Sequence, residues 1–311
     1  MKLLSGCLRE DGHDVSVQAI DDQAARRRRS AWRQLLLKLR LGRSRPDADV
    51  DLNIMLEHVW PEFLTQARKS VVVPNPEWFD RHDLRFLPHV DHVWAKTRHS
   101  LEIFRRLDRN ALFVTFASED RRRPDVPRER RFFHLAGKST MKGTDRLLRV
   151  WAQHPDWPTL TVIQHGRDAH APEIQAANID RRHGYLSEED LLEQQNACMF
   201  HVCPSLSEGW GHYIVEAMSV GAVVLTVAAP PMDELVTEER GLLIPYERVG
   251  KQRLTSTFYF STAALQAAVE RAMAMSDEEW SRMSANARDW FKNNRGDFLL
   301  RVRSALRESI Q

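Results

Sequence analysis

The chain has little cysteine and no long apolar segment, and each absence excludes a class of protein. Only three of its 311 residues are cysteine, and the spacing of Cys7, Cys198 and Cys203 matches neither a zinc site nor a disulfide framework. No segment approaches the ~20 apolar residues of a membrane-spanning helix. The opening residues carry charges where a signal peptide has an apolar core. We therefore expect reduced thiols and a cytoplasmic protein.

The sequence also has almost no net charge, since 45 lysine and arginine residues are balanced by 43 acidic ones. A nearly balanced chain gives no reason to expect nucleic acid as a partner. The basic residues are nevertheless clustered. One run extends from Arg26 to Arg45 without an acidic residue, and a second Arg-rich run extends from Arg121 to Arg131.

The first basic run has two interpretations. Residues 24–41 are predicted to form a helix with one apolar face, which consists of Trp32, Leu35, Leu36 and Leu39. Such a helix can lie on an anionic bilayer, and the protein would then be peripheral at the inner face of the membrane. The alternative is an ordinary helix that covers a sheet and keeps its basic face in solvent.

Short apolar strands alternate with helical segments in both halves of the chain, which predicts parallel sheets with helices on both faces. In the first half, strands are predicted over residues 14–20, 51–57, 70–73, 90–94 and 111–116. The helices of this half are predicted up to Gly12 and over residues 61–67 and 100–107. In the second half, the predicted strands include residues 132–136, 159–164 and 222–228. The helices of that half are predicted over residues 143–154, 188–196, 262–275, 277–293 and 297–309.

A polar stretch with Pro124 and Pro127 separates the two halves. It has little to bury, so the domain boundary is predicted there. Residues 1–122 then form an N-terminal domain, residues 123–131 a linker and residues 132–311 a C-terminal domain. We expect the last helices to pack back on the N-terminal domain.

The most informative segment covers residues 201–226 and reads HVCPSLSEGWGHYIVEAMSVGAVVLT. It predicts a strand, a Gly-containing loop, a helix and a second strand. A helix that begins after Gly209 and Gly211 directs free backbone N–H groups and the positive end of its dipole at a ligand, which favours an anion. Glu208 and Glu216 flank this pocket and are expected to bind hydroxyl groups. A phosphate next to hydroxyl groups is the chemistry of a nucleotide sugar.

Glu216 lies in a helix that is apolar almost all round, so we expect its carboxylate to be partly buried. A buried carboxylate needs hydrogen-bond partners. Those partners belong either to a ligand, which is the interpretation we prefer, or to a structural hydrogen bond within the protein.

A second anion site is predicted near Lys138 and Lys142, at the end of one strand and the start of the next helix. Open α/β sheets bind ligands at the carboxyl ends of their strands. Gly137 and Gly143 allow the backbone to approach a ligand closely, and two ammonium groups can neutralise a diphosphate. The alternative is two solvated lysines.

Over residues 132–245 these motifs resemble the C-terminal domain of retaining GT-B glycosyltransferases, the glycosyltransferase group 1 family. The resemblance implies an α/β fold with two Rossmann-like domains whose parallel sheets face each other across a cleft. It implies that Lys138 and Lys142 hold the donor diphosphate, that Glu208 contacts the donor sugar and that Glu216 binds the ribose. The remaining donor-site residues that it implies are Gly209, Trp210, Gly211 and His212 at the sugar and phosphates, and Gly184, Tyr185 and Leu186 at the base.

The activity implied by this resemblance is transfer of a sugar, with retention, from a nucleotide-diphosphate sugar to a glycan, lipid-linked or other acceptor, as in polysaccharide biosynthesis. Lys138, Lys142 and Glu208 are the implied catalytic residues, because the site must stabilise an oxocarbenium ion and a departing diphosphate. The resemblance implies no metal and no cofactor. The acidic run at Asp47, Asp49 and Asp51 is similar to a metal-binding Asp-x-Asp motif, but it precedes a strand and is interpreted as a solvated turn.

The first half departs from the family pattern. Gly12 and His13 follow a helix almost at once, so the first strand and the Gly-rich loop of the N-terminal domain are expected to be missing. The family histidine after the strand that ends in VVVPNPEWF is also replaced here. Asn75 and Glu77 lie near that position, and His58, after the preceding strand, is a substitute. These three residues are the acceptor-side candidates.

Two other functions remain open. A hydrolase or epimerase on the same fold would act on a nucleotide sugar without a separate acceptor. A non-catalytic subunit would bind a nucleotide sugar within a glycosyltransferase complex, which a shortened N-terminal domain makes credible.

Overall fold

The computed structural model describes residues 2–20, 48, 50–165 and 174–311. The chain divides into two compact units. Unit 1 comprises Met1–Phe116, Gln252–Thr255 and Gly296–Gln311, and unit 2 comprises Ala117–Lys251 and Ser256–Arg295. The division after Phe116 precedes the linker that the sequence predicts over residues 123–131.

Unit 1 contains a four-stranded parallel sheet with the order β1–β2–β3–β4. Its strands are β1 (Val50–Glu57), β2 (Ala67–Pro74), β3 (His92–Ala95) and β4 (Ala111–Phe113). Its helices are α1 (Lys2–Glu10), α2 (Arg81–Phe86), α3 (Arg98–Arg106) and a short 3-10 helix, Leu87–His89. Strand β2 is apolar and buried along Val71, Val72 and Val73, as expected for a strand that is covered on both faces.

Side-chain caps fix where the helices of unit 1 begin. Asp80 caps α2 in a reciprocal capping box with Asp83. Thr97 caps α3, because its hydroxyl accepts from the Ser100 amide at 3.0 Å. The helix therefore begins at Arg98, two residues earlier than predicted.

Three predictions for unit 1 were wrong in detail. Residues 14–20 have no regular structure and pair with no strand among the described residues, although apolar and polar residues alternate there. Residues 61–66 form turns rather than a helix, because the register pairs Ala67 with Val50 and leaves too few residues for a helical crossover. Strand β4 ends at Phe113 rather than at residue 116. The four strands of the described sheet all follow α1.

Unit 2 contains a six-stranded parallel sheet and a two-stranded sheet. The strands of the larger sheet are β5 (Glu129–Gly137), β6 (Leu160–Gln164), β7 (Ile179–His183), β8 (Cys198–Cys203), β9 (Val223–Val227) and β10 (Gly241–Ile244). The smaller sheet pairs β11 (Tyr246–Gln252) with β12 (Thr255–Phe260). The helices after β5 in the sequence are α4 (Thr144–Ala152), α5 (Glu188–Ala197), α6 (His212–Ser219), α7 (Met232–Leu235), α8 (Thr262–Met273) and α9 (Asp277–Ile310), of which α9 continues into unit 1 from Gly296.

The order of strands in the larger sheet is β10–β9–β8–β5–β6–β7. From β5 the chain first builds outward through β6 and β7, and it then returns to add β8, β9 and β10 on the other side. The direction of growth therefore reverses between β5 and β8. In open α/β sheets such a reversal opens a crevice at the carboxyl ends of the two strands, where ligands bind.

Most elements of unit 2 match the sequence-based prediction, and the exceptions have physical causes. Residues 277–293 and 297–309 belong to one helix, α9. Gly296 does not interrupt it, because a glycine costs a helix only about 1 kcal/mol relative to alanine. Strands β7 and β11 were not predicted, since they are polar and partly or largely exposed. Strand β12 was not predicted either, although most of its residues are buried. Strand β5 begins at Glu129, inside the predicted linker.

Two further predictions concern the membrane. The basic helix predicted over residues 24–41, with its bilayer contact from Arg26 to Arg45, lies outside the described residues. Among the residues that the structure describes, no helix combines the length and the apolar character needed to cross a bilayer.

Candidate active site

The loop after β5 carries both predicted lysines, but they have different environments. Lys138 is exposed, and its Nζ lies 5.8 Å from the centre of the Tyr185 ring. Lys142 is partly buried, and its Nζ lies 3.4 Å from the centre of the Tyr213 ring. The same Nζ donates to the Leu135 carbonyl at 3.4 Å. Lys142 is therefore an ordered cation at the carboxyl end of β5.

Two backbone contacts join this loop to the loop after β8. The amide of Leu206 donates to the carbonyl of Met141 at 2.8 Å. Gly143 has a φ of +67°, and a Cβ at this position would lie 2.4 Å from the Pro204 carbonyl oxygen. Only glycine permits this approach. The two loops therefore meet at the reversal point of the sheet.

The loop after β8 contains Glu208, which its neighbours hold in place. The Ser205 hydroxyl donates to Glu208 Oε1 at 2.5 Å. The Ser205 oxygen also lies 2.5 Å from the hydroxyl oxygen of Tyr213, whose ring faces Lys142. One chain of contacts therefore connects Lys142, Tyr213, Ser205 and Glu208.

Helix α6 begins in the same place. Gly211 precedes it with a φ of +89°, and no side chain of the described residues caps its first turn. The first intrahelical bonds to the Gly211 carbonyl come from Ile214 and Val215, so the helix directs its first amides and the positive end of its dipole outward. His212, the first residue of α6, is exposed, and its Nδ1 lies 2.8 Å from the buried Ser118 hydroxyl.

The electrostatics of Lys142 reflect this setting. Burial lowers the pKa of its ammonium group, because desolvation disfavours the charged form. The carboxylates of Glu208 and Glu216 and the thiol of Cys203 act in the opposite direction. An anion that enters the site would stabilise the Lys142 cation further. Lys142, Glu208 and Glu216 are therefore close enough to influence one another.

Glu216 is partly buried on α6, as the sequence predicts. Burial raises the pKa of its carboxyl group, while Arg121, Lys142 and a hydrogen bond from Gln195 lower it. Gln195 in turn accepts a hydrogen bond from Arg121 Nε at 3.2 Å. Sequence reasoning missed both Arg121 and Gln195. It counted Arg121 only as a member of an Arg-rich run, and nothing in that run distinguishes the one arginine that is buried there from its exposed neighbours Arg122 and Arg123.

The predicted base-contacting turn follows β7, on the far side of β6 from β5. Gly184 has a φ of +101° and its amide donates to the Gln164 carbonyl at 3.0 Å. Tyr185 is 81% exposed, and its ring stacks on His165 with a centroid separation of 4.4 Å. Leu186 packs against the apolar cluster beneath. The turn thus presents an aromatic surface next to Lys138.

The acceptor-side candidates lie in unit 1, where they follow two neighbouring strands. His58 comes directly after β1 and Asn75 directly after β2, and the Asn75 amide donates to the Glu57 carbonyl at 3.4 Å. His58 Nδ1 lies 2.9 Å from Asp83 Oδ2, and no described residue bonds to its Nε2. Glu77 is only 5% exposed.

Two more polar residues of unit 1 were missed by sequence reasoning. Asp83 is fully buried, and besides His58 it accepts from the amides of Val59 and Asp80, both at 2.9 Å. Lys96, directly after β3, is buried and donates to Asn75 Oδ1. His58, Asn75 and Lys96 therefore follow three consecutive strands at the carboxyl edge of the sheet.

No metal site is evident in the part of the chain that the structure describes, where no group of three or more His, Cys, Asp or Glu side chains could hold an ion. Asp51, the described member of the acidic run, is the second residue of β1 and forms an ion pair with Arg68 at 3.2 Å. It is therefore part of a strand and not of the predicted turn. Asp47 and Asp49 lie outside the described residues.

A parallel sheet with a reversal of strand order, two loops that meet at this point and a helix amino terminus aimed into it are typical of Rossmann-like α/β domains. A family model described as "Glycosyl transferases group 1" matches residues 118–290, which is more than half of the chain. The chain therefore belongs to the glycosyltransferase group 1 family. The matched range includes every residue predicted for the donor site.

Similar proteins of known structure agree with this assignment. The pneumococcal O-GlcNAc transferase GtfA, in complex with UDP and GlcNAc, has a TM-score of 0.65 at 16% identity and covers 90% of this chain. HepE from Anabaena, in complex with UDP-glucose, has a TM-score of 0.65 at 14% identity and covers 97% of this chain. The chain in turn covers 60% of GtfA and 88% of HepE. These similarities confirm the predicted GT-B fold with two Rossmann-like domains.

A curated relative is closer in sequence but over a short region. The serotype-specific mannosyltransferase WbdA of Escherichia coli is 30% identical over 94 residues, which are 29% of this chain and 12% of WbdA. The chain thus spans about an eighth of the length of this relative.

Proposed function

We propose that this protein is a retaining glycosyltransferase that moves a sugar from a nucleotide-diphosphate sugar to a glycan, lipid-linked or other acceptor. The observation that supports it best is the chain of contacts that connects Lys142, Tyr213, Ser205 and Glu208 beside the amino terminus of α6, the helix that also carries Glu216, at the reversal point of the sheet. Membership of the glycosyltransferase group 1 family supports the same activity. The UDP and UDP-glucose complexes of GtfA and HepE support a nucleotide sugar as the donor.

In the proposed donor site, each part of the nucleotide sugar contacts residues that match its chemistry. Lys142, Lys138 and the first amides of α6 bind the diphosphate, since they supply positive charge and hydrogen-bond donors. Glu216 accepts hydrogen bonds from the ribose hydroxyls and Glu208 from those of the sugar. The base lies against the turn at Gly184, Tyr185 and Leu186. Gly209, Trp210, Gly211 and His212 line the sugar and the phosphates.

The proposed reaction needs no strong protein base. The acceptor hydroxyl oxygen forms a bond to the anomeric carbon on the face from which the diphosphate leaves, and the bond from that carbon to the phosphate oxygen breaks. The acceptor proton passes to the departing phosphate, so the product nucleotide diphosphate carries it away. The protein supplies electrostatic stabilisation: Lys142 and Lys138 offset the charge that grows on the diphosphate, and Glu208 stabilises the positive charge on the sugar. These lysines and the helix terminus supply the positive charge in a mechanism that we propose to be independent of metal.

Unit 1 supplies the proposed acceptor residues. His58 is the best supported of these candidates, because the bond to Asp83 fixes its ring and leaves Nε2 for a ligand. Asn75 and Glu77 are the other two, and Lys96 orients the Asn75 side chain.

The donor site can be tested with a binding panel of UDP, GDP and dTDP, measured by calorimetry. We expect Lys142→Met to weaken binding of the preferred nucleotide about 10- to 100-fold, because a charge-assisted hydrogen bond contributes about 1.5–3 kcal/mol. Lys251→Met is the matched control, since Lys251 is exposed on β11. Equal affinities of the two variants for every nucleotide would refute the donor site.

The activity can be tested by analysing the products from UDP-glucose, UDP-GlcNAc and GDP-mannose with a mixture of oligosaccharide acceptors. A new glycoconjugate with the anomeric configuration of the donor supports the proposal. Free sugar or an isomer would instead identify a hydrolase or an epimerase. Tight nucleotide binding without turnover would favour a non-catalytic subunit of a glycosyltransferase complex.

The acceptor side can be tested at His58. His58→Gln keeps a polar atom near the position of Nε2, and His58→Asn keeps one near the position of Nδ1. If Nε2 binds the acceptor, His58→Gln retains more transfer than His58→Asn while both bind nucleotide like the unmodified protein. The opposite order would show that the bond to Asp83 is structural only.

Membrane association is a separate proposal that depends on the segment from Arg26 to Arg45. Its basic character predicts binding to anionic vesicles at low salt. Flotation with phosphatidylserine vesicles tests it, and recovery of all protein in the unbound fraction at low salt would exclude it.

A further inference from the structure

Behind Glu216 lies a buried polar pair that the proposed reaction does not use. Gln195, on α5, is 1% exposed, and Arg121, ahead of β5, is 9% exposed. Arg121 Nε donates to Gln195 Oε1 at 3.2 Å. The two residues are 74 positions apart in sequence, so their contact is a feature of the fold and not of local chain geometry.

Arg121 itself is held on several sides. Its amide donates to the Ser219 hydroxyl at 3.0 Å, and its carbonyl accepts from Asn196 Nδ2 at 2.8 Å. Its guanidinium also forms an ion pair with Glu188. The direction in which Arg121 Nε points is therefore fixed by three elements: the segment before β5, helix α5 and the end of helix α6.

The chemistry of the pair fixes the orientation of the Gln195 amide. A guanidinium group can only donate hydrogen bonds, so the oxygen of Gln195 must face Arg121. The NH₂ group then faces away from Arg121, and a hydrogen bond from Gln195 is one of the influences that lower the pKa of the Glu216 carboxyl group. The Ser219 hydroxyl, which accepts from the Arg121 amide, also donates to the Glu216 carbonyl at 2.7 Å, so Arg121 is held against the turn of α6 that carries Glu216. A reversed amide would place NH₂ against Arg121 and oxygen against Glu216, which leaves both contacts repulsive. Arg121 thus determines which atom of Gln195 meets Glu216.

We infer that Arg121 and Gln195 are positioning residues for ribose recognition: Gln195, oriented by Arg121, holds one oxygen of the Glu216 carboxylate so that the other accepts from the ribose hydroxyls of the donor. This inference rests on the proposed function, in which Glu216 binds the ribose. It adds a reason why a carboxylate that is partly buried on an apolar helix keeps one orientation. It also assigns a specific role to two residues that touch no part of the donor.

The charges around Glu216 predict how the contact between Gln195 and Glu216 responds to pH. Arg121, Lys142 and the bond from Gln195 favour the ionised carboxylate, whereas burial and Glu119 disfavour it. Loss of the Gln195 bond should therefore raise the pKa of Glu216 further. Since the ionised carboxylate is a stronger acceptor than the protonated acid, ribose recognition should then weaken at a higher pH than in the unmodified protein.

The experiment compares the affinities for UDP and 2′-deoxy-UDP by calorimetry between pH 5 and pH 8, with GDP and 2′-deoxy-GDP if the panel above prefers guanine. The preference for the ribonucleotide reports the contact with the 2′-hydroxyl alone. We expect Gln195→Met to reduce this preference about tenfold at pH 7, because one hydrogen bond to a charged group is weakened. Binding of 2′-deoxy-UDP should hardly change. Gln194→Met, one residue earlier on the same helix, is the control and should keep the preference.

A second variant separates positioning from packing. Gln195→Glu keeps the shape and the acceptor for Arg121 but removes the donor to Glu216 and adds a second carboxylate. We expect it to lose the ribose preference at a pH above that of the unmodified protein, even if Gln195→Met fails to fold. A preference that persists in Gln195→Glu at every pH would overturn the inference.

The failure of the inference and the failure of the proposed function have different signatures. If Glu216→Gln abolishes the ribose preference but the two Gln195 variants do not, Glu216 binds the ribose, and Arg121 and Gln195 have only a structural role. If the unmodified protein does not distinguish ribonucleotide from deoxyribonucleotide, Glu216 does not bind the 2′-hydroxyl. The proposed role of Glu216 then fails together with the inference.

Discussion

Lys142 illustrates how one residue acquires a special role through its surroundings. Its ammonium group lies against the Tyr213 ring, and the charges of Glu208 and Glu216 act on it. Burial costs the cation solvation, and the carboxylates only partly offset this cost, so its pKa is lowered. A bound diphosphate would add the missing negative charge. The positive charge of Lys142 is thus better compensated with the proposed donor bound than without it.

Gly143 is the residue whose substitution should affect this arrangement most directly. We expect Gly143→Ala to destabilise the protein by about 2 kcal/mol or more, because a Cβ there meets the Pro204 carbonyl oxygen in addition to the strain of a positive φ. Gly137→Ala is the matched control, since Gly137 also has a positive φ but has no atom within 4 Å of its Cβ position. It should cost only about 1–2 kcal/mol.

Urea unfolding of the two variants measures the difference. Nucleotide affinity should fall more for Gly143→Ala as well, since the loop that carries Lys142 must move away from the loop that carries Glu208. Equal losses of stability in both variants would show that the contact with Pro204 relaxes easily.

At the scale of elements, two neighbouring strands contain a fully buried histidine each. His134 on β5 donates from Nδ1 to the Val202 carbonyl at 2.7 Å and accepts at Nε2 from the Thr144 hydroxyl at 2.9 Å. Thr144 is the first residue of α4, so this bond holds the start of α4 against β5. His201 on β8 donates to the Gln195 carbonyl at 2.9 Å. Both rings are neutral, since burial lowers the pKa of His134 to about 4 and that of His201 to about 3.

These histidines predict a loss of stability in mild acid. In the unfolded chain both rings take up a proton as the pH falls below about 6.5, whereas in the folded protein they stay neutral until about pH 4 or 3. The unfolded state therefore binds more protons in this window. Each histidine should lower the free energy of unfolding by up to about 1.4 kcal/mol per pH unit below pH 6.5.

Urea unfolding between pH 7 and pH 5 measures this slope, and His134→Gln or His201→Gln should each reduce it. NMR of the unmodified protein gives a second measurement that does not depend on the folding of either variant. Neither imidazole should titrate above pH 5. A ring that titrates near pH 6.5 in the folded protein would contradict the assignment of neutral buried histidines.

At the scale of the whole molecule, the two units carry different parts of the proposed reaction. The donor residues all lie in unit 2, around the reversal point of a six-stranded sheet, and the acceptor candidates all lie in unit 1. Each unit has its own buried core, for example around Phe104 in unit 1 and around the stacked rings of Phe132 and Phe200 in unit 2. A ligand that binds one unit should therefore be detectable as a local effect on that unit.

Hydrogen exchange with mass spectrometry tests this division. At a concentration of UDP, or of the nucleotide chosen by the panel, equal to 100 times its Kd, opening of the binding region becomes about 2.7 kcal/mol less favourable. We expect slower exchange in the loops after β5 and β8 and at the start of α6, with peptides from β1 and β2 unchanged as the internal control. Protection confined to unit 1 would contradict the proposal that the nucleotide binds to unit 2.

The sequence alone determined the fold class and the family, and it predicted the segments of the candidate donor site. The alternation of apolar strands with helices predicts parallel sheets because a strand that is covered on both faces must be apolar throughout. Glu208, Gly211 and Glu216 could be found from the sequence because a short loop and the first turns of a helix fix their spacing. Neighbouring residues in the sequence determine such local geometry. The roles of these residues stay predictions until binding is measured.

The tertiary structure decided what depends on distant parts of the chain. Arg121 looks like one arginine among many until α5 and α6 enclose it, and Asp83 has no local sign that it orients His58, 25 positions away. Strand β7 is polar and became a strand only because β6 offered a partner edge. Burial, charge balance and hydrogen-bond partners arise where separated segments meet, and a single segment does not contain that information. The sequence therefore predicted the candidate site, and the packing of the chain determined which side chains surround it.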